Sequence, residues 1–395
     1  MTRPTILLAM ITVGNGHRMV AEALADWIEQ RHPGRFDHRV VDFTLAIGQD
    51  DFDRRHKLSW RRMLRAPWTA YIGQRLLDRV VPARLSRAVQ AVMLREQARL
   101  AAAYLKSRPV DLVVATHFFT AHAVAIARER YGVDVPLVVI NPDILDAHAL
   151  WAEARADALV VFSEAARDDL VRHGVPADRI ERFNPVLRPE FGAPCSEHER
   201  HAARRSLDIH SDAAVVLWSA GGEGIGGRLA ATLDALDRLE SHAIVLVLCG
   251  RNDALYHDLQ RRRSEFEHVD VRPLGFRDDV RALSCAADLF VGKAGPAATF
   301  EALICGLPVL HFGFVAANEK AVADWVERQG VGHLERRPAA LAVEIDRLVR
   351  DPAALVAARK RVRALGLRNG GPEAVDSLAA RCLSSSRDVE GNTPR

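Results

Sequence analysis

The chain has 395 residues, which at about 100–200 residues per domain is enough for two domains, each with its own buried core. Hydrophobic residues make up 49% and charged residues 27%, a balance typical of a soluble globular protein that excludes collagen-like and low-complexity classes. The formal net charge is only +3, so overall charge does not indicate nucleic-acid binding.

The cysteines and the apolar stretches bear on the cellular compartment. Five cysteines stand singly, without a CxxC pair or Cys/His ligand spacing, which predicts neither a zinc site nor a disulfide framework and favours a reducing cytoplasm. The N-terminal apolar run leads straight into glycines, so we interpret it as a strand rather than a signal peptide. The later stretch 302–318 is broken by Gly306, Pro308 and His311 and falls short of the ~20 apolar residues of a membrane span.

Short β-branched runs alternate with helical patterns along the chain. This alternation predicts βαβ units around parallel sheets, and it restarts after a Pro-, Gly- and charge-rich stretch between Arg188 and Asp212. We therefore predict an α/β protein with two doubly wound, Rossmann-like domains, 1–190 and 211–383. The predicted strands lie in TILLAMITV, VDLVVAT, PLVVIN, ALVVFS, AVVLWS, AIVLVLCG, VDVRPLGF, DLFVGKAG and LPVLHFG.

The first strand ends in a glycine turn with a histidine, Gly14-Asn15-Gly16-His17. Small residues there let a ligand approach a helix N-terminus, and the imidazole can point into the cleft. The third glycine of a dinucleotide fingerprint is absent, which argues against nicotinamide or flavin binding. An ordinary turn with a surface histidine is the alternative interpretation.

The second half contains two further glycine turns. Gly221 to Gly227 holds five glycines in seven residues after a strand, a pattern that exposes backbone N–H groups to a diphosphate, although a flexible loop is the alternative. Lys293-Ala294-Gly295-Pro296 precedes a helix whose amides, with Lys293 and Thr299, are candidates for binding phosphate. Glu301 in that helix is either a ribose ligand or an ordinary acidic residue of a first helical turn.

Taken in order, these motifs resemble the GT-B glycosyltransferases of the monogalactosyldiacylglycerol synthase and processive diacylglycerol glucosyltransferase group, relatives of the lipid II-forming glucosaminyltransferase. The resemblance covers most of the chain. It departs at Asn15, at GPAAT in place of GPGT, and at ANEKAV in place of the sugar motif QExxN. The matching elements are GNGH, Asp143 with His148 and Trp151, FNPVLRPEF, GGEGIGG, CGRN, LGF, KAGP and EALICGLPV.

The resemblance implies two domains facing across a cleft, with a nucleotide-diphosphate sugar held mainly by the second and an acceptor entering from the first. It implies that Phe276 covers the base, Glu301 holds the ribose, and Asn318 and Glu319 touch the sugar. For the diphosphate it implies Gly222, Gly224, Ala297 and Thr299. The matching motifs add Arg188, Glu223, Arg251, Lys293, Gly295 and Pro296 to the donor site, and Gly14, Gly16, His148 and Trp151 to the acceptor site.

An inverting transfer, itself implied by the resemblance, needs a base for the acceptor hydroxyl and donors for the leaving diphosphate. His17 fits as the base, since imidazole titrates near pH ~6.5, and Asp143 is either a rival base or the group that orients His17. No metal and no cofactor are expected, because amides, Lys293 and Arg188 can neutralise the diphosphate and no DxD motif is present. Trp151 is also a candidate for a core role.

The segment from Arg54 to Arg99 carries eleven Arg and one Lys against Asp78 and Glu96, a local charge of about +10. Trp60, Trp68 and Tyr71 are interleaved with these cations, a pattern that indicates peripheral binding to an anionic membrane surface. A solvated helix face and RNA binding are the alternatives, although no nucleic-acid fold signature accompanies the pattern and no nucleic-acid partner is expected.

The sequence therefore predicts an enzyme that moves galactose or glucose from a UDP-sugar to diacylglycerol or a related membrane lipid, at the inner face of the cell membrane. A polyprenyl-linked or hydrophobic metabolite is an alternative acceptor. A UDP-sugar 2-epimerase of the same fold and a non-catalytic sugar-nucleotide sensor are the alternative functions.

Overall fold

The computed structural model describes residues 3–12, 16–65, 89–90, 92–219, 227–314 and 317–390, except the side chains of 60–65, 227 and 385–390. The described residues form two compact units. The first contains those up to Pro189, Ala317, Asn318 and those from Asn369 onward, and the second contains the remainder. Each unit is built on its own six-stranded sheet, and every pair of neighbouring strands in both sheets is parallel.

The sheet of the first unit has the strand order β2-β1-β3-β4-β5-β6. Its central strands read as continuous apolar runs because helices cover both faces of a parallel sheet, and every residue of β1, β3, β4 and β5 is buried. The strands are β1 (Thr5–Met10), β2 (Asp37–Asp42), β3 (Leu112–Ala115), β4 (Leu137–Ile140), β5 (Ala158–Val161) and β6 (Ile180–Arg182). The helices are α1 (Gly16–Arg31), α2 (Phe43–Ala46), α3 (Asp50–Arg65), α4 (Arg95–Lys106), α5 (Phe118–Tyr131) and α6 (Glu164–Arg172).

The sheet of the second unit has the order β12-β11-β10-β7-β8-β9, with a core of apolar side chains between sheet and helices. Its strands are β7 (Ala214–Ser219), β8 (Ala243–Leu248), β9 (Asp270–Leu274), β10 (Leu289–Lys293), β11 (Val309–Gly313) and β12 (Gly332–Leu334). Its helices are α7 (Glu197–Ser206), α8 (Gly227–Arg238), α9 (Asp253–Arg262), α10 (Val280–Ala286), α11 (Pro296–Ile304), α12 (Ala317–Arg328), α13 (Pro338–Arg350) and α14 (Pro352–Ala364). The first two residues of α12 belong to the first unit, and the helix belongs to the second unit from Glu319 on.

The last helix, α15 (Gly371–Glu390), belongs to the first unit, although the predicted bounds placed residues up to 383 in the second domain. Two glycines allow this return. A Cβ on Gly370 would lie 2.0 Å from the Asn184 carbonyl oxygen, and one on Gly371 would lie 2.0 Å from Trp27 Nε1. The backbone of α15 therefore approaches α1 more closely than any residue with a side chain would allow.

The expectation that the cysteines form no disulfide is wrong for one pair. Cys195, which precedes α7, is bonded to Cys285 in α10, and their Cα atoms lie 5.5 Å apart. The two residues are 90 positions apart in sequence and meet because α7 packs against α10. Cys249, Cys305 and Cys382 are buried and take no part in this disulfide.

Every strand predicted from an apolar run is present, and the strands that the sequence did not reveal are β2, β6 and β12. All three lie at sheet edges, where one side has no neighbouring strand, so their sequences need not be apolar. Within the described ranges, no helix combines the length and the apolar character needed to cross a bilayer.

Replacing Gly371 with Ala should destabilise the first unit by about 1–3 kcal/mol, the usual cost of overpacking. The Trp27 ring cannot move away freely, because its Nε1–H donates to the Leu187 carbonyl at 2.8 Å. The measurement is the urea midpoint of each variant. Gly275→Ala is the control, since a Cβ there meets nothing within 4 Å. Equal midpoints for the two variants would contradict the close-approach explanation.

Candidate functional site

In open parallel sheets, ligands bind beyond the carboxyl ends of the strands, where the strand order reverses. In the first unit the chain proceeds from β1 to β2 on one side and then returns to β3 on the other, so the reversal lies between β1 and β3. His17 stands in the first turn of α1, after β1. Thr116 and His117 follow β3, and Asp143 follows β4. Three adjacent strand ends therefore present these side chains at one edge.

His17 is held in one tautomer by a backbone carbonyl. Its Nδ1 lies 2.6 Å from the Thr116 carbonyl oxygen, and the Thr116 hydroxyl donates to the His17 carbonyl at 3.0 Å. A carbonyl oxygen can only accept, so Nδ1 carries the hydrogen and the neutral ring keeps its lone pair on Nε2. This arrangement leaves Nε2 as the proton acceptor of the site.

The protonation of His17 is set by opposing influences. Burial lowers its pKa below the usual value near 6.5, while the Asp143 carboxylate and the hydrogen bond to Thr116 raise it. Burial dominates, so the imidazole is neutral and able to accept a proton at neutral pH. Asp143 thus acts on His17 electrostatically.

Asp143 is itself fixed by two donors. Its Oδ2 accepts from Trp151 Nε1 at 3.1 Å, and its Oδ1 accepts from Asn318 Nδ2 at 2.6 Å. Asn318 is thus found with Asp143 in the first unit, whereas the resemblance implied a contact with the sugar. Two neutral donors thus fix the Asp143 carboxylate in place, and neither of them cancels its negative charge.

Trp151 and His148 lie next to this pair. Trp151 is 1% exposed, and its ring centroid lies 6.0 Å from that of His17 and 5.5 Å from that of Phe118. Trp151 is therefore buried among aromatic rings, as a core residue is. His148 is half-buried, and its ring packs edge-on against Phe118 at 5.3 Å.

Sequence reasoning missed two further histidines. The ring centroids of His117 and His17 are 4.5 Å apart, and those of His56 and His117 are 5.5 Å apart. His117 caps α5, since its Nδ1 accepts from the Phe119 amide at 3.1 Å, and burial holds its pKa well below the usual value. Burial also lowers the pKa of His56. For His117, the signal available in the sequence was its position directly after a predicted strand.

A small apolar pocket adjoins these histidines. Ile11, Phe43, Phe52, Leu94 and Phe119 are among the residues that line it. The Phe52 and Phe119 rings also contact the His56 ring, with centroids 6.2 and 5.1 Å from it. Aromatic rings therefore connect an apolar pocket to the group around the proton acceptor.

In the second unit the strand order reverses between β7 and β10. The glycine turn after β7 falls largely outside the described residues, but the turn after β10 is described. There Gly295 caps α11 with Pro296 in its first turn. Thr299 donates its amide to the Gly295 carbonyl at 3.1 Å. The amides of Ala297 and Ala298 have no acceptor within the helix and are available to an anion at the positive end of its dipole.

The Thr299 hydroxyl is not available to a phosphate in this structure. It is fully buried and lies 3.1 Å from Nε2 of His311, a residue whose pKa is lowered by burial to about 4. The Lys293 ammonium is likewise paired, because it donates to the Glu319 carboxylate. Glu301 lies buried in α11. Among the described groups expected at the diphosphate, Lys293 and the Thr299 hydroxyl already have partners, whereas the first amides of α11 have no acceptor within the helix.

Arg251 and Phe276 follow neighbouring strands, β8 and β9. The Arg251 guanidinium lies over the Phe276 ring, 5.2 Å from its centroid. Phe276 is 66% exposed, which is unusual for a side chain of this size. An exposed aromatic face with a cation on one side offers a stacking surface for a planar ring.

The other predicted residues lie elsewhere. Arg188 is half-buried in the first unit, where its carbonyl accepts from Asn369 Nδ2 at 3.0 Å. Gly16 begins α1 and is exposed. No group of three or more potential metal ligands occurs among the described side chains. Predicted residues outside the described part of the chain are Gly14, Gly222, Glu223, Gly224, Trp68, Tyr71 and the side chain of Trp60.

Comparisons with known proteins find similar enzymes. A family model for monogalactosyldiacylglycerol (MGDG) synthase matches residues 63–186. Monogalactosyldiacylglycerol synthase 3 of Arabidopsis thaliana is 25% identical over 349 residues, covering 85% of this chain and 72% of the plant protein. Processive diacylglycerol beta-glucosyltransferase of Bacillus pumilus is 22% identical over 378 residues, covering 95% of each. The chain is a GT-B glycosyltransferase related to these two enzymes.

The fold is confirmed by solved structures. That of Anabaena HepE in complex with UDP matches with a TM-score of 0.56 at 17% identity, covering 97% of this chain and 100% of the other. The GT-B fold class is therefore confirmed. The family model and the two relatives confirm the resemblance noted from the motifs and the prediction of a glycosyltransferase. The roles of individual site residues stay predictions.

The pKa of His17 should lie below 6.5 and should fall further in Asp143→Asn, because that change removes the carboxylate that raises it. An NMR titration of the ring nitrogens, assigned with His17→Asn, measures both values. The control is Asp134→Asn, which removes an exposed carboxylate that does not contribute to the shift. A rise of the His17 pKa in Asp143→Asn would contradict the electrostatic assignment.

Proposed function

We propose that this glycosyltransferase moves galactose or glucose from a UDP-sugar to a hydroxyl of diacylglycerol or a related membrane lipid, with inversion and without a metal ion. The observation that carries the proposal is the fixed tautomer of His17. A neutral imidazole, with its lone pair on Nε2 and a carboxylate nearby, lies at the sheet edge where ligands of this fold class bind.

In the proposed reaction, Nε2 of His17 takes the proton of the acceptor hydroxyl as its oxygen bonds to the anomeric carbon. The bond between that carbon and the diphosphate oxygen breaks, and UDP leaves with the electron pair. The Asp143 carboxylate stabilises the imidazolium that forms. Since attack and departure occur on opposite faces in one displacement, the anomeric configuration inverts.

Two observations support a lipid acceptor. Val92 and Met93, at the end of the basic segment, are 77% and 70% exposed, and exposed apolar side chains among cations suit a membrane interface. The relatives named above are a monogalactosyldiacylglycerol synthase and a diacylglycerol glucosyltransferase. We therefore propose that the enzyme binds a membrane surface peripherally. The cytoplasmic face stays a prediction, and the Cys195–Cys285 disulfide removes the cysteine pattern as an argument for it.

The second unit supplies the donor site in this proposal. Phe276 stacks on the uracil, Glu301 accepts from the ribose hydroxyls, and the amides of Ala297 and Ala298 receive the diphosphate. The structural relative HepE was solved with UDP. Amides and a helix dipole stabilise the leaving diphosphate without a cation, which is the reason for proposing metal-independent transfer.

Incubation of the enzyme with UDP-galactose or UDP-glucose and diacylglycerol in anionic micelles should release UDP and yield a hexosyl-lipid detectable by mass spectrometry. Release should depend on the lipid and persist in EDTA, and His17→Asn should abolish it while UDP still binds. Turnover of UDP-N-acetylglucosamine without an acceptor would instead indicate the epimerase. Binding of UDP-sugar without turnover of any donor would indicate a sensor.

Replacing Glu301 with Gln should weaken UDP binding about 10- to 150-fold, the equivalent of ~1.5–3 kcal/mol for hydrogen bonds to a charged group. Titration calorimetry with UDP and with 2′,3′-dideoxy-UDP separates a ribose contact from a general loss. The substitution should weaken UDP binding much more than dideoxy-UDP binding. Equal losses for the two nucleotides would remove Glu301 from the ribose site.

A further inference from the structure

A buried ion pair between His122 and Glu153 lies among residues that the proposed reaction does not use. His122 on α5 is 1% exposed, and Glu153, which follows the short 3-10 turn Ala149–Trp151, is 0% exposed. His122 Nδ1 lies 2.6 Å from Glu153 Oε2, and its Nε2 lies 2.8 Å from the Leu150 carbonyl oxygen. Both ring nitrogens of a fully buried histidine therefore face oxygen atoms.

The hydrogen-bond inventory fixes the charge of this pair. The Leu150 carbonyl can only accept, so Nε2 carries a hydrogen, and the ionised Glu153 carboxylate also accepts, so Nδ1 carries the other. His122 is thus an imidazolium. Burial alone would raise the pKa of Glu153, but hydrogen bonds from Arg155 and His122 lower it to about 2, which keeps the carboxylate ionised.

Arg155 completes the cluster from the outer side. Its Nε and Nη2 donate to the two oxygens of Glu153 at 2.8 and 2.7 Å, and its Nη1 donates to Glu129 at 2.7 Å. His122 on α5 and Arg155, two residues further along the loop, therefore both hold the Glu153 carboxylate in place.

The ion pair lies next to the residues that fix Asp143. Leu150, whose carbonyl His122 holds, directly precedes Trp151, and the Glu153 amide donates to the Trp151 carbonyl at 2.8 Å. The Trp151 indole then donates to Asp143. The backbone on both sides of Trp151 is thus anchored by His122 and Glu153, and no regular strand or long helix holds this stretch of chain.

We propose that the His122–Glu153 ion pair is a positioning element, which holds the backbone around Trp151 so that the indole keeps Asp143 beside His17. Only the expected effect of the ion pair on catalysis rests on the proposed function, and the positioning itself does not. Burying two charges is costly, and an apolar pair of similar volume would fill the same space. An apolar pair has no donor for the Leu150 carbonyl, and that donor is what the ion pair supplies.

The first test is His122→Gln, whose side chain can donate to Glu153 or to Leu150 but not to both. We expect kcat to fall about 10- to 100-fold, the scale of a misplacement of about 1 Å, with an unchanged KM for the UDP-sugar. We also expect the ¹⁵N–¹H resonance of the Trp151 indole, assigned with Trp151→Phe, to shift and to exchange faster with solvent.

The matched control is Asp157→Asn. Asp157 pairs at 2.9 Å with Arg128, which lies on α5 as His122 does, and it accepts from the Leu137 amide at 2.7 Å. This variant therefore also loses an ion pair between α5 and the neighbouring loop. Arg128 also donates to the Arg155 carbonyl at 3.3 Å, but the contacts of Asp157 itself are with Arg128 and Leu137 rather than with residues 149–153. The Trp151 resonance and kcat should therefore stay at their wild-type values.

A double variant, His122→Leu with Glu153→Leu, separates positioning from stability. Replacing both charges with apolar groups should recover part of the denaturation midpoint that His122→Gln loses, because Arg155 keeps Glu129 as a partner. The Leu150 carbonyl still lacks its donor, so kcat and the Trp151 resonance should stay perturbed. Recovery of kcat together with stability would overturn the proposal, and so would an unshifted Trp151 resonance in His122→Gln. The resonance needs no substrate, so it tests the positioning even if wild-type enzyme transfers no sugar to lipid.

Discussion

Parallel strand pairing is the constraint on which both halves of this molecule depend. Every crossover returns the chain to the same end of the sheet, so the carboxyl ends of all strands share one edge. His17, Thr116 and Asp143 are far apart in sequence, yet they follow β1, β3 and β4, which are neighbours. The same constraint places Arg251 beside Phe276 at the ends of β8 and β9. Each site therefore combines residues that are too far apart in sequence to occur in one short motif.

The edge of the first sheet tunes protonation by burial rather than by charge alone. A histidine exposed to water and next to a carboxylate would have a raised pKa and would be largely protonated at mildly acidic pH. Around His17, burial exceeds the influence of Asp143, and His117, neutral as the cap of α5, adds no positive charge. His122 is the contrasting case, because two oxygens hold hydrogens on both of its nitrogens. The acceptors around each ring decide which histidine is a base and which is a structural cation.

The sequence identified the parts of the fold whose patterns are local. Buried central strands such as Leu112–Ala115 were predicted because a covered parallel strand must be apolar at every position, whereas the edge strand Asp37–Asp42 carries no such requirement. The Cys195–Cys285 bond and the return of α15 to the first unit depend on contacts between distant segments, so spacing could not reveal them. His17 and Asp143 were found through motifs. His122 and Glu153 were not, since their significance lies in two hydrogen bonds rather than in a pattern.

The second unit raises the question of which groups meet the negative charge of a leaving diphosphate. Lys293 is paired with Glu319, and the Thr299 hydroxyl is bonded to His311, so neither acts on an anion without first giving up a partner. The amides of Ala297 and Ala298 have no such competitor within their helix, and the dipole of α11 adds to them. Fixed dipoles need no reorganisation when charge develops, whereas a lysine must exchange one carboxylate for another anion.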